Sequence, residues 1–152
     1  MKRALVALVF VACGGDDGVS TGGDAAHGFC VSETNRYRQT IGKVALVHSP
    51  EIEAYADEGA EIDFHGSPHQ HFTSTNGGNG IAFAENECPG QLGWTLAAGE
   101  DVSAVVGRCI KAFYDEGPGG GHYENLMGPY TKVGCGIFAA EGKITIVQDL
   151  GN

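Results

Sequence analysis

The sequence predicts an α+β domain: helix signals dominate its first two thirds, strand-like runs close it, and nothing alternates in the regular way that builds a parallel doubly wound sheet. Cys30 to Ile41 is polar yet free of proline and glycine, and Gly42 follows as a helix C-cap would, so a first helix is expected there. Ser49 followed by Pro50 supplies an N-cap and a first-turn proline, and Glu51 and Glu53 complement the positive end of the helix dipole. Ile52, Tyr55, Ala56, Gly59 and Ala60 then recur on one face, which carries this second helix to about Asp63.

His65 to Gly80 is rich in Gly, Ser, Thr, Asn and His and is expected to be a long functional or mobile loop. Three of its residues are histidines: His65, His69 and His71. Ile81 to Ala84 is a short apolar run expected as a strand that ends at Glu85-Asn86-Glu87. Val102, Val105, Val106, Cys109, Ile110 and Phe113 show the cleanest 3.6-residue period in the chain, with Glu100 and Asp101 at the N-terminal end. This third helix should stop at Gly117, with a tight loop from Gly117 to Gly121 and one helical turn over His122 to Met127. Val133 to Ala139 and Lys143 to Asp149 read as strands joined in a hairpin through Ala140-Glu141-Gly142, glycine supplying a positive φ.

A chain of 152 residues has room for one hydrophobic core, and 42% apolar against 18% charged residues excludes a disordered acidic chain. The net charge of -10 would repel a phosphate backbone, which argues against nucleic acid as a partner. Lys2 and Arg3 precede the apolar run Ala4 to Ala12, too short to span a bilayer and typical of an export signal. Cys13 follows a small residue and precedes a polar, glycine-rich stretch, a pattern that resembles a bacterial lipoprotein signal with Cys13 as the lipidated residue. The expected organisation is therefore a signal peptide over 1–12, a flexible tether over 13–29 and a folded domain over 30–152. The protein would be exported, either lipid-anchored to the cell envelope or secreted, and would meet a membrane only through its lipid. Cys30, Cys88, Cys109 and Cys135 remain, an even number that implies two disulfides in an oxidising compartment; three connectivities are possible.

Four polar residues stand where segments begin or end: His71, Glu85, Glu116 and His122. Two imidazoles and two carboxylates suit a divalent metal, zinc above all, and a carboxylate pair can also serve as general acid and base when burial separates their pKa values. Glu116 closes a helix, against the dipole, and so asks for a compensating cation or hydrogen bond. There is no Gly-x-Ser-x-Gly elbow, no His-Glu-x-x-His helix and no Gly-Lys-Ser or Gly-Lys-Thr after the glycine runs.

Several motifs occur in an order that resembles one family. Asn35 and Arg38 with Gly42 resemble its first-helix pattern, and Ser49 with Ala56 and Ala60 its second helix. Ala84-Glu85-Asn86 resembles its Gly-Glu-Asn, Phe113-Tyr114-Asp115-Glu116 its Trp-Tyr-x-Glu, and Gly121-His122-Tyr123 its Gly-His-Tyr. Val133-Gly134-Cys135-Gly136 and Val147-Gln148-Asp149 resemble its last two strands. The family is the CAP superfamily, or SCP domain, of cysteine-rich secretory proteins, antigen 5 and pathogenesis-related proteins of class 1. The resemblance covers roughly Cys30 to Gly151.

That resemblance implies a three-layer α-β-α sandwich, an extracellular setting and a cleft of two histidines and two glutamates that binds zinc or another divalent cation in some members. Glu85, Glu116 and His122 match the motifs directly. For the first histidine, His71 is chosen because its separation from Glu85 is nearest the family's, with His69 as substitute. The working disulfide pairing is Cys88–Cys109 with Cys30–Cys135. Three departures stand out: alanine at 84 for glycine, phenylalanine at 113 for tryptophan, and a short Gly/Pro loop between Glu116 and His122 that should leave the cleft open. The expected function is an extracytoplasmic binding or interaction module for a lipid, small molecule or protein. The alternative is a metal-dependent hydrolase with His71 and His122 as ligands and a glutamate as general base.

Overall fold

The computed structural model describes residues 24–152, so the expected signal peptide and Cys13 lie outside the described residues. Helix α1 spans Asp24–Thr40 and begins before Cys30, inside the segment expected to be tether. Tertiary contact explains the extension: Ala26 and His27 are buried, and His27 Nε2 lies 2.9 Å from Asp57 Oδ1. Strand β1, Val47–His48, leads to α2, Pro50–His65, whose N-cap Ser49 accepts the Ile52 N–H. Helix α3, Gln70–Gly80, precedes β2, Ala84–Cys88, and α4, Val102–Asp115, precedes α5, Gly121–Leu126. The chain closes with β3, Lys132–Ala140, and β4, Lys143–Gly151.

The expected loop over His65 to Gly80 is in part helical, from Gln70 to the break at Asn76. Its asparagines and glycines are used differently: Asn76, Gly77, Gly78 and Asn79 all take left-handed angles, with φ between 52° and 63°, a conformation open chiefly to these two residue types. The expected strand Ile81 to Ala84 is also displaced. Glu85, Asn86 and Glu87, read as the strand's end, form its middle because they pair antiparallel with Asp149, Gln148 and Val147. A polar run becomes a buried strand when pairing with a neighbouring strand satisfies its backbone.

The strand order is β1-β3-β4-β2, with β1 parallel to β3 and the other pairs antiparallel. The hairpin between β3 and β4 turns on Glu141 (φ 53°) and Gly142 (φ 73°), so both turn residues are left-handed, as a two-residue hairpin of matching twist requires. Alternation along the strands makes two faces. Val133, Cys135, Ile137, Ile144, Ile146 and Leu150 join α1, α4 and α5 in the larger core. Phe138 and Val147 meet Ala56 and Ala60 of α2 on the other face. The result is the expected α-β-α sandwich.

Helix α4 buries Val105, Val106, Cys109, Ile110 and Phe113, the face its periodicity marked. Asn35 and Arg38 tie α1 to its surroundings: Asn35 exchanges two hydrogen bonds with the Leu46 backbone, and Arg38 donates to the carbonyls of Val44, Leu126 and Gly128. Disulfides join Cys30 to Cys135, and Cys88 to Cys109, as in the working pairing. Among the described residues no helix is long and apolar enough to cross a membrane.

Candidate metal centre at the edge of the sheet

Strand β2 lies at one edge of the sheet, and its alternation distributes the site. Glu85 and Glu87 point to the α2/α3 side. Asn86 points to the other, where its amide donates to the His122 carbonyl and to Gln148, and its own oxygen accepts from Asn125. Ala84 sits in ordinary strand geometry opposite Leu150, so alanine in place of the family's glycine introduces no backbone strain.

On the α2/α3 side, His69 Nδ1 lies 2.7 Å from Glu85 Oε1 and 3.8 Å from Glu87 Oε2. The His69 N–H also donates to Glu87 Oε2 at 2.7 Å. Among the described residues, His69, Glu85 and Glu87 form the one group of three potential ligands whose atoms all lie within 4.8 Å of one another. On the other side of β2, His122 Nδ1 lies 2.6 Å from Glu116 Oε1, and the His122 N–H donates to Glu116 Oε2. The His122 ring stacks on Phe113 at 4.9 Å. Glu116 thus gains the hydrogen bonds that its place at a helix end requires.

The structure does not gather the four expected residues into one group: His69 meets Glu85, while Glu116 and His122 pair with each other. His71 does not face Glu85: it is buried with its ring 4.5 Å from Tyr55, its N–H donates to Asp63 Oδ1, and its Nδ1 has no hydrogen-bond partner. His69 takes the place because it stands just ahead of α3 in a left-handed conformation (φ 60°, ψ 14°) that turns it toward β2. His65 packs edge-on against Phe64 and Phe138, away from the group. Glu87 is the site residue that sequence reasoning missed. Its two-residue spacing from Glu85 would have shown it, had Glu85 and Glu87 been placed inside a strand.

The side chains that would receive a cation are already short of partners. Glu85 Oε2 and Glu87 Oε1 are buried without a hydrogen bond, and so are Asp63 Oδ2 and both oxygens of Asp149, which lies directly across from Glu85. Burial, with Asp63 and Glu85 adding repulsion, pushes the Glu87 carboxyl up to about 7. Burial first, then Glu85 and Asp63, holds Asp149 well above the usual carboxylate range. Burial also raises Asp63, although the His71 N–H works against it, and the hydrogen bond to Glu85 raises His69. The residues present therefore fit a divalent cation.

These shifts determine how the metal-free protein answers pH. Glu87, Asp63 and Asp149 have raised folded values, so the unfolded chain releases protons first as pH rises and stability falls until the folded values are passed. Raised His69 has the same sign: its contribution is present below about 6.5 and is lost as pH climbs through the folded value. Glu116, held low by the hydrogen bond from His122, opposes them only below about pH 4.5. In chelator the melting temperature is expected to fall from pH 5 to pH 8, with Glu87 alone contributing on the order of 3 kcal/mol. A melting temperature that rises across this range would show the carboxylates to be ionised and compensated.

A cavity of about 460 Å³ lined by Arg38, Lys43, Val44, Val47, Pro129 and Tyr130 contains none of these residues. Fold and site together define a disulfide-stapled α-β-α sandwich whose sheet edge gathers histidines and carboxylates. Residues 31–149 match the model of the cysteine-rich secretory protein family, CAP, and the chain belongs to that family. The crystal structure of NaASP2 with Zn2+ shares the fold, with a TM-score of 0.63 and 17% identity, over 90% of this chain and 83% of that one. No curated protein sequence matches the chain.

Proposed function

We propose that this CAP domain is an extracytoplasmic binding module whose histidine/glutamate cleft holds a divalent cation. The carrying observation is the His69–Glu85–Glu87 group, with one bare, buried oxygen on each carboxylate. A buried carboxylate without a partner is costly, and a cation at this edge would offset that cost. The Zn2+ in the NaASP2 crystal structure supports the same reading, since that protein shares the fold. His69 and Glu85 would hold the ion on one side of β2, while Glu116 and His122 form a separate, partly exposed pair across the strand. A bound ion would supply a positive charge able to receive an oxygen of an extracellular ligand, whether lipid, small molecule or protein.

The two disulfides agree with an oxidising compartment outside the cytoplasm. Cys13 is the candidate lipid-bearing residue of this reading. Calorimetric titration of the full chain with Zn2+ at pH 7.5 tests the cleft. His69→Ala should weaken binding at least about tenfold, roughly 1.4 kcal/mol, whereas His48→Ala, whose ring pairs with Glu53 elsewhere, should not. Wild-type protein that takes up no divalent ion would end the metal reading.

A further inference from the structure

Every residue of β2 is buried, yet two of its five side chains are carboxylates on the same face. Glu85 has an obvious partner in the His69 ring. Glu87 does not: its side chain is wholly buried, one oxygen serves only the His69 N–H, and the other meets no donor. A backbone N–H at that position needs an acceptor, but a neutral amide oxygen would provide one without placing a second charge beside Glu85. Asp149 and Asp63, each with bare oxygens, add further negative potential behind the pair. The arrangement costs stability as it stands, and a cation at this edge would offset that cost.

We infer that Glu87 is a ligand of the cleft ion, so that the ion is held by one imidazole and two carboxylates of His69, Glu85 and Glu87. This inference rests on the metal reading of the cleft. The three ligand atoms lie within 4.8 Å of one another, close enough for one ion about 2.0–2.2 Å from each to be shared after a small closing movement. Three protein ligands leave a coordination position open, and His69, which is 42% exposed, stands on the solvent side of the group, so an external ligand can reach it. One nitrogen with carboxylate oxygens is a donor set for Zn2+ or Mn2+. Of the expected residues it keeps Glu85 and the substitute histidine His69, adds Glu87, which no motif marked, and leaves Glu116 and His122 paired with each other.

Glu87→Gln tests the assignment, because glutamine keeps the shape and the acceptor for the His69 N–H while removing the charge. With Zn2+ as the probe, affinity by calorimetry should fall at least tenfold, and the zinc-induced rise in melting temperature should shrink accordingly. In chelator the same variant should melt no lower than wild type, since relief of repulsion from Glu85, Asp63 and Asp149 favours the fold. Unchanged zinc affinity would make Glu87 a structural acceptor only. A lower melting temperature in chelator together with weaker zinc binding would do the same, by tracing the loss to the fold. Absence of zinc binding in wild type would instead remove the metal reading beneath the inference.

Discussion

Gly136→Ala is expected to unfold the domain. Gly134 and Gly136 lie two apart on β3, so both face α2, and the helix rests on the strand backbone itself. A Cβ at Gly136 would collide with the Ala56 carbonyl and the Asp57 nitrogen, and one at Gly134 with the backbone of Ile52 and Glu53. These are backbone atoms of a helix whose own small residues, Ala56 and Ala60, are fitted to that approach, so no rotamer change relieves the clash. The helix must lift, and Phe138 and Val147 then lose their cover. The cost should exceed about 4 kcal/mol, in the range reached only by severe core defects. Gly28→Ala is the matched control: no atom lies within 4 Å of its added carbon, it is in α1, and it should stabilise by up to about 1 kcal/mol. Denaturant unfolding of both variants decides the matter. A Gly136→Ala protein with a wild-type midpoint would mean that α2 does not lie on β3 at this distance.

Removal of the Cys30–Cys135 disulfide should be the more damaging of the two cysteine-pair deletions. It closes a separation of 105 residues, joining α1 to the central strand β3, whereas Cys88–Cys109 closes 21 and joins β2 to α4. Restriction of the unfolded chain predicts a loss of about 4.7 kcal/mol for the long loop and about 3 kcal/mol for the short one. All four cysteines are buried, so alanine pairs keep the core apolar while removing the cross-link. Denaturant midpoints of the two double variants under non-reducing conditions give the ranking. Equal losses, or a larger one at Cys88–Cys109, would show that native-state packing rather than chain restriction dominates. The second pair carries a functional consequence as well, since Cys88 adjoins Glu87 and ties the ligand-bearing strand to α4.

Elements whose own side chains are sorted by burial were legible. The face of α4 follows from apolar residues at helical spacing, the N-cap of α2 from Ser49-Pro50, and the last hairpin from two apolar runs around Glu141-Gly142. Elements made by pairing with distant residues were not. Strand β2 carries Ala-Glu-Asn-Glu-Cys, which has no strand signature of its own; it becomes a strand because β4 lies alongside and buries it. Helix α3 was hidden for the opposite reason. Its glycines and asparagines signal a break in any right-handed helix, and here they build a left-handed turn inside the same segment.

The sequence by itself determined that the domain is α+β, that four cysteines make two disulfides, and that Glu85, Glu116 and His122 follow one another in the order of the CAP motifs. Each of these depends on local spacing or on the presence of a residue type, which a linear chain displays. Only the tertiary structure decided that His69 rather than His71 meets Glu85, and that Glu87 joins them. The histidines stand two positions apart, and a left-handed φ at His69 turns one ring to β2 while the first turn of α3 buries the other against Tyr55. The glutamates also stand two positions apart, but in a strand that spacing returns to the same face. Whether neighbours in sequence share a site thus depends on backbone conformation, and here that conformation is imposed by β4 and α2, contacts from more distant parts of the chain.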